Sequence, residues 1–99
     1  MFALVVRFDL LDEQAAERFD TLVADLLPQI GAHEPNTLSY VVHTVSDAPL
    51  SRVFYECYRN RAAFEEHEAQ PHTGYFLRER EPLLADRRLE LLTPTGSAH

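Results

Sequence analysis

Residues 67 to 72, "HEAQPH", set two histidines five positions apart around a proline. Imidazoles this close can ligate a metal, pass a proton, contact a ligand, or serve only the packing. On one continuous helix they would stand about 140° apart, not on one face as a metal-binding i, i+4 pair does. Pro71 alters the path of the chain but adds no third ligand, and Glu65, Glu66 and Glu68 point round the helix in several directions, so no metal site is expected. His67 follows Phe64 by three residues on one helical face, which suits either a histidine packed between helix and sheet or a base. His72 can cap the next helix, hydrogen-bond a carbonyl, or take part in proton transfer.

Further candidates lie upstream and downstream. Phe54, Glu56 and Tyr58 alternate onto one strand face, and an acid flanked by aromatics on a buried strand is unusual. Glu56 is therefore either a hydrogen-bond anchor or a pocket carboxylate with a raised pKa. Tyr40 and His43 fall in "TLSYVVHTV", Phe64 and Phe76 can supply pocket walls, and Arg78 offers a cation within "REREP", a stretch that equally suits an exposed face. No Ser-His-Asp order appears, and three glycines in the whole chain leave no phosphate cradle or dinucleotide loop.

These residues need elements to hold them. "FALVVRFDL" (2 to 10) alternates as a strand. Asp12 can cap a helix beginning at Glu13, in which Ala16, Phe19, Val23, Leu26, Leu27 and Ile30 form one apolar stripe. Pro28 is expected to kink or end it. Residues 37 to 45 and 52 to 59 are predicted strands joined by the turn "SDAPLS", which makes an antiparallel hairpin. A helix over 60 to 69 takes Asn60 as its cap, Pro71 opens another over 72 to 85, and 87 to 94 is a final strand. The order β-α-β-β-α-β is that of an α+β, ferredoxin-like domain, with helices on one face of an antiparallel sheet. Both alternating sets of the first three strands are largely apolar, yet two helices cover only one face. The second face is thus expected to bury against another copy, giving a homodimer.

At 99 residues the chain is read as one domain over 1 to 94 with a polar tail over 95 to 99. It is acidic, with net charge −7, and its nine basic residues are all arginine. That balance repels phosphate backbones, so nucleic acid is not an expected partner. No apolar run is long enough to span a membrane, and the opening segment lacks a signal-peptide layout, so a cytoplasmic setting is expected. Cys57 is alone and cannot form an internal disulfide.

"HEPNTLSYVVH" and "FYECYRNRAAFEEHEAQPHTGYF" resemble the E-P-G-x-x-x-Y segment and the E-x-W/Y-x-x-x-x-A-x-x-x-H-x-x-x-P-H-x-x-x-F signature of the antibiotic biosynthesis monooxygenase domain family. The resemblance runs over about residues 2 to 93, with Asn36 in place of the usual Gly and Tyr58 at a position often held by Trp. It implies a dimeric α+β barrel with one pocket per subunit between sheet and helices. Family members include oxygenases of polyketide quinone biosynthesis that need no metal or flavin, quinol oxygenases, haem-degrading enzymes and an isomerase of a phosphorylated quorum signal. At the positions haem degraders use stand Arg7, His67 and Leu77, and the isomerase's first-helix histidine falls in "VADLLPQI", which has none. The resemblance therefore implies cofactor-independent oxygenation of a small phenolic or quinol-type molecule; an enolisation catalyst on a small carbonyl compound and a non-catalytic small-molecule binder are the alternatives. Oxygenation needs an apolar pocket and a proton acceptor, with His67, His72 and Arg78 as catalytic candidates and Tyr40, His43, Phe54, Glu56, Tyr58, Phe64 and Phe76 as substrate contacts.

Overall fold

A computed structural model describes all 99 residues. The elements run β1 (Phe2–Leu10), α1 (Glu13–His33), β2 (Thr37–Val45), β3 (Ala48–Tyr58), α2 (Arg61–Ala69), α3 (Pro71–Arg80), a 3-10 turn (Glu81–Leu83) and β4 (Leu84–Leu92). The four strands form one sheet in the order β2-β3-β1-β4, every pairing antiparallel, which is the ferredoxin-like α+β arrangement expected from the sequence. No helix is long and apolar enough to cross a membrane.

Local chemistry sets the helix starts. The Asp12 carboxylate accepts from the Ala15 amide at 2.8 Å, and the Asn60 side chain accepts from the Ala63 amide at 2.9 Å, each satisfying one of the unpaired donors of a first turn. Pro71 occupies the first turn of α3, where its missing N–H costs nothing.

At Pro28 the structure excludes an end to the helix, and three element boundaries differ from expectation. α1 runs on through Pro28 to His33. The proline forfeits one ladder hydrogen bond, but Leu26 and Ile30 on either side of it are buried in the core, and that burial outweighs the local cost. β3 begins at Ala48, not 52, because the β2–β3 connection closes over Ser46 and Asp47, with Val45 paired to Ala48 and Asp47 at φ 63°, a left-handed turn conformation that Asp tolerates. α3 ends at Arg80, and β4 starts at Leu84 rather than 87, since Pro82 lies in the intervening 3-10 turn.

The core lies between the helices and one sheet face. Leu4, Val6, Phe8 and Leu10 of β1 meet Phe19, Leu22, Val23, Leu26 and Ile30 of α1. Phe54 is fully buried at its centre, with Phe8, Phe19 and Tyr40 rings at centroid distances of 5.0, 5.8 and 5.8 Å. Arg52 clamps α1 to the sheet through paired 2.9 Å bonds to both Asp20 carboxylate oxygens. The other sheet face is uncovered, and there the cross-strand row Val5, Tyr55 and Val41 leaves Tyr55 and Val41 exposed.

Candidate active site

A cavity of about 170 Å³ opens between the helix-covered face of the sheet and α2 and α3. Strand alternation delivers Leu4, Val6 and Phe8 from β1, Tyr40 from β2, and Phe54 and Glu56 from β3; Phe64, His67 and Glu68 come from α2, and Thr73, Phe76, Leu77 and Arg80 from α3. Most of the wall is apolar, so its few polar groups carry the chemistry.

Glu56 is 7% exposed. The Tyr58 hydroxyl donates to its Oε1 at 2.5 Å, and its other oxygen makes no hydrogen bond to the protein and is not sealed from solvent. Burial pushes the Glu56 carboxyl up to about 7; the Tyr58 hydrogen bond opposes the rise. Burial, with the Glu56 charge beside it, raises the Tyr58 phenol as well, so Tyr58 remains a donor. Tyr40, raised by burial and then by Glu56, likewise stays a phenol.

His67 is 4% exposed. Its Nδ1 lies 2.7 Å from Glu34 Oε1, and the second Glu34 oxygen lies 2.5 Å from His72 Nε2. Thr37 Oγ1 also donates to Glu34 Oε1, at 2.8 Å. Burial alone would raise the Glu34 carboxyl, but the hydrogen bonds from His72, Thr37 and His67 together hold it below its ordinary value. A carboxylate here accepts the Nδ1–H of His67, which fixes the tautomer and leaves the Nε2 lone pair free. Nε2 has no hydrogen-bond partner in the protein and is not sealed from solvent. His67 is thus a cavity wall residue oriented by a carboxylate behind it.

Six of the expected site residues line this cavity: His67, Tyr40, Phe54, Glu56, Phe64 and Phe76. Four do not. Tyr58 is fully buried and reaches the site only through Glu56. His43 points to the uncovered sheet face, because it is one residue out of phase with Val42, whose partner is Phe54; its Nδ1 lies 2.9 Å from the Val53 carbonyl. His72 bonds Glu34 outside the cavity wall. Arg78 is exposed, whereas Arg80, two residues on, is buried and lines the cavity.

The expected site residues left out Arg80, which the sequence offers only as one of the arginine group Arg78, Arg80, Arg87 and Arg88, fit for a small anion or a solvated face, and they left out Glu34. Arg80 could have been found from helical phase, since Thr73, Phe76 and Arg80 recur at three- and four-residue spacing and share a face. Glu34 carries no such local signal, because its two histidine partners are 33 and 38 residues away.

Comparison with known proteins gives a consistent result. The family model described as antibiotic biosynthesis monooxygenase matches residues 1–78. A protein of that name from Bacteriodes thetaiotaomicron superposes with a TM-score of 0.89 at 18% identity, covering 99% of this chain and 92% of that one. A protein from Mycobacterium tuberculosis gives 0.87 at 24% identity, covering 99% and 98%. One from Caulobacter crescentus, also bearing the family name, gives 0.87 at 19%, covering 96% and 90%. At these identities the superpositions establish a shared fold. No curated protein shows significant similarity to the sequence.

Proposed function

The chain belongs to the antibiotic biosynthesis monooxygenase family, and from that premise we propose that it oxidises a small phenolic or quinol-type molecule with dioxygen, its own residues supplying the proton transfers without a metal or flavin. The observation that carries this reading is the pair of proton acceptors, Glu56 and His67, at the wall of one mostly apolar cavity, each held by a protein hydrogen bond at one atom with its other acceptor atom left unpaired. An electron-rich substrate reacts with dioxygen once deprotonated, and an apolar wall keeps water from competing.

Glu56 is the base, because a carboxyl near 7 is half ionised at neutral pH and is basic enough to take an acidic proton. His67 accepts a hydrogen bond from the substrate hydroxyl at Nε2, with Glu34 holding the ring. The substrate anion then gives one electron to dioxygen, and the resulting radical pair joins as a carbon-bound peroxide. Glu56 returns its proton to the peroxide and removes the second hydrogen of the same carbon as a proton; the C=O forms as the O–O bond breaks, and the departing hydroxide takes that proton from Glu56 to leave as water, which restores the carboxylate. For a methylene flanked by aromatic rings the sum is CH2 + O2 giving C=O + H2O. Four electrons leave the carbon and dioxygen takes all four, so the step balances without an outside reductant. The proposal also takes the protein as a homodimer joined through the uncovered sheet face.

Oxygen consumption with a panel of anthrones and quinols is the test. Uptake above the uncatalysed rate, reduced at least about a hundredfold in Glu56→Gln, supports the reading; no uptake across the panel overturns it. A second reading, enolisation of a small carbonyl compound, is favoured by the same base and the Arg80 cation lining one cavity. It predicts solvent hydrogen exchange into a bound ketone with no oxygen consumed.

A further inference from the structure

Arg80 holds hydrogen-bonding capacity that the protein does not fill. Its side chain is 6% exposed, and its guanidinium lies 5.0 Å from the Phe8 ring centroid and 5.9 Å from that of Phe76, which fixes the plane of the group against two aromatic walls. A guanidinium presents five N–H donors in a rigid fork. Nη1 donates to Glu81 Oε2 at 3.1 Å, and the Glu81 side chain is 69% exposed, so that bond tethers one arm toward solvent. Nε is sealed with no hydrogen-bond partner, and Nη2, which is not sealed, has none either, so Nη2 is the donor open to a ligand. The acids lining the same cavity, Glu56 and Glu68, make no hydrogen bond to it; Glu56 is bonded by Tyr58 instead.

An unpaired buried donor on a charged group is costly, and a hydrophobic residue of similar length would fill the same space between Phe8 and Phe76 without that cost. The fork is planar and matches two acceptor oxygens or one anionic oxygen. Taking the cavity as the ligand site, which rests on the functional reading above, we propose that its ligand is an aromatic molecule carrying a carboxylate and that Arg80 selects it by pairing with that group. Arg80 is then the specificity-determining residue of the pocket, and Phe64 and Phe76 are the aromatic walls against which the ring lies.

Binding decides this without turnover. Calorimetric titration of the full chain with 1-hydroxy-2-naphthoate and with its methyl ester compares the same ring and hydroxyl with and without the anion. The acid is expected to bind at least about tenfold more tightly, the worth of one charge-assisted hydrogen bond. Arg80→Met should bring the acid down to the affinity of the ester, and Arg80→Lys should restore part of the difference. Equal binding of acid and ester by the unaltered protein, binding of neither, or an undiminished preference in Arg80→Met overturns the proposal. Should Arg80→Met fail to fold by circular dichroism, the unaltered protein and Arg80→Lys decide it between them. Oxygen consumption with a lost acid preference removes this inference alone, whereas an acid preference without oxygen consumption removes the oxygenase and leaves the inference standing.

Discussion

His67 Nδ1 lies 2.7 Å from Glu34 Oε1, a contact between α2 and the residue that closes α1, with both side chains 4% exposed. Glu34 uses its other oxygen for His72 at the start of α3, so one carboxylate ties the ends of three helices together. Replacing it removes the acceptor for two buried or half-buried rings and one hydroxyl. Glu34→Ala is expected to lower unfolding free energy by about 3 kcal/mol, in the range for breaking a buried hydrogen-bonded charge. Denaturant titration checks this; a loss under about 1 kcal/mol would show that the rings find other partners. Glu34→Gln, which keeps the shape, should hold more of the stability while lowering oxygenation through the freed His67 ring.

Glu56 and Glu34 titrate in opposite senses, and their effects on stability separate by pH. Glu56 is raised from 4.5 to about 7. The folded state therefore binds more protons than the unfolded state between those values, and stability falls as pH rises through that window and levels above it. The full span corresponds to roughly 3 kcal/mol. Glu34 is lowered, so its contribution is present above 4.5 and is lost as pH falls through its folded value. Thermal melts from pH 4 to 8 should show the loss above 4.5 in the unaltered protein and a flatter curve in Glu56→Gln. If the two curves stay parallel, the Glu56 carboxyl is not raised.

If Glu56 is the base, kcat should climb as pH rises through about 7, in the direction opposite to stability. A rate profile flat between pH 6 and 8, measured with saturating substrate, would remove Glu56 from the proton step.

The fold was legible because its signals are local. Asp12 and Asn60 announce helix starts in their own side-chain chemistry, and two-residue alternation in "FALVVRFDL" assigns Leu4, Val6 and Phe8 to one face before any packing is known. Pro28 does not end its helix, because the stability of that helix comes from the buried stripe of Phe19, Val23, Leu26 and Ile30 rather than from the propensity of one residue. The site was half legible. Phe54 and Glu56 follow from strand phase, and the same phase applied to "YVVH" places His43 on the opposite face from Tyr40. The role of "HEAQPH" was not legible, because Pro71 starts a new helix whose direction brings His72 onto Glu34, and that meeting depends on three helices packing at once.

His67 and His72 should behave differently when replaced, although they share one carboxylate. His72→Gln disturbs a contact outside the cavity wall and is expected to cost about 1 kcal/mol of stability while leaving kcat/KM within about twofold. His67→Gln removes a group at the wall and should reduce kcat/KM by tenfold or more. Arg78→Ala, at an exposed position, should change neither quantity. Parallel steady-state kinetics and denaturant titrations test the contrast, and a rate loss in His72→Gln equal to that in His67→Gln would place both rings in the proton path.

The uncovered sheet face carries the remaining prediction. Val5, Tyr55 and Val41 lie side by side across three strands on the face opposite the helices, with Tyr55 38% and Val41 46% exposed. Aromatic and β-branched side chains in such a row are stable against another apolar surface and unfavourable against water. A second copy of the same face would supply that surface through a two-fold axis, since identical patches are self-complementary in an isologous pair. Sedimentation equilibrium at micromolar concentration should therefore give twice the 11.4 kDa chain mass. Tyr55→Glu, which buries a charge in the joint, should shift the protein to monomer with the helix content retained by circular dichroism. A monomer before any substitution, or a dimer that tolerates both Tyr55→Glu and Val41→Glu, would place the contact elsewhere and leave this row facing water.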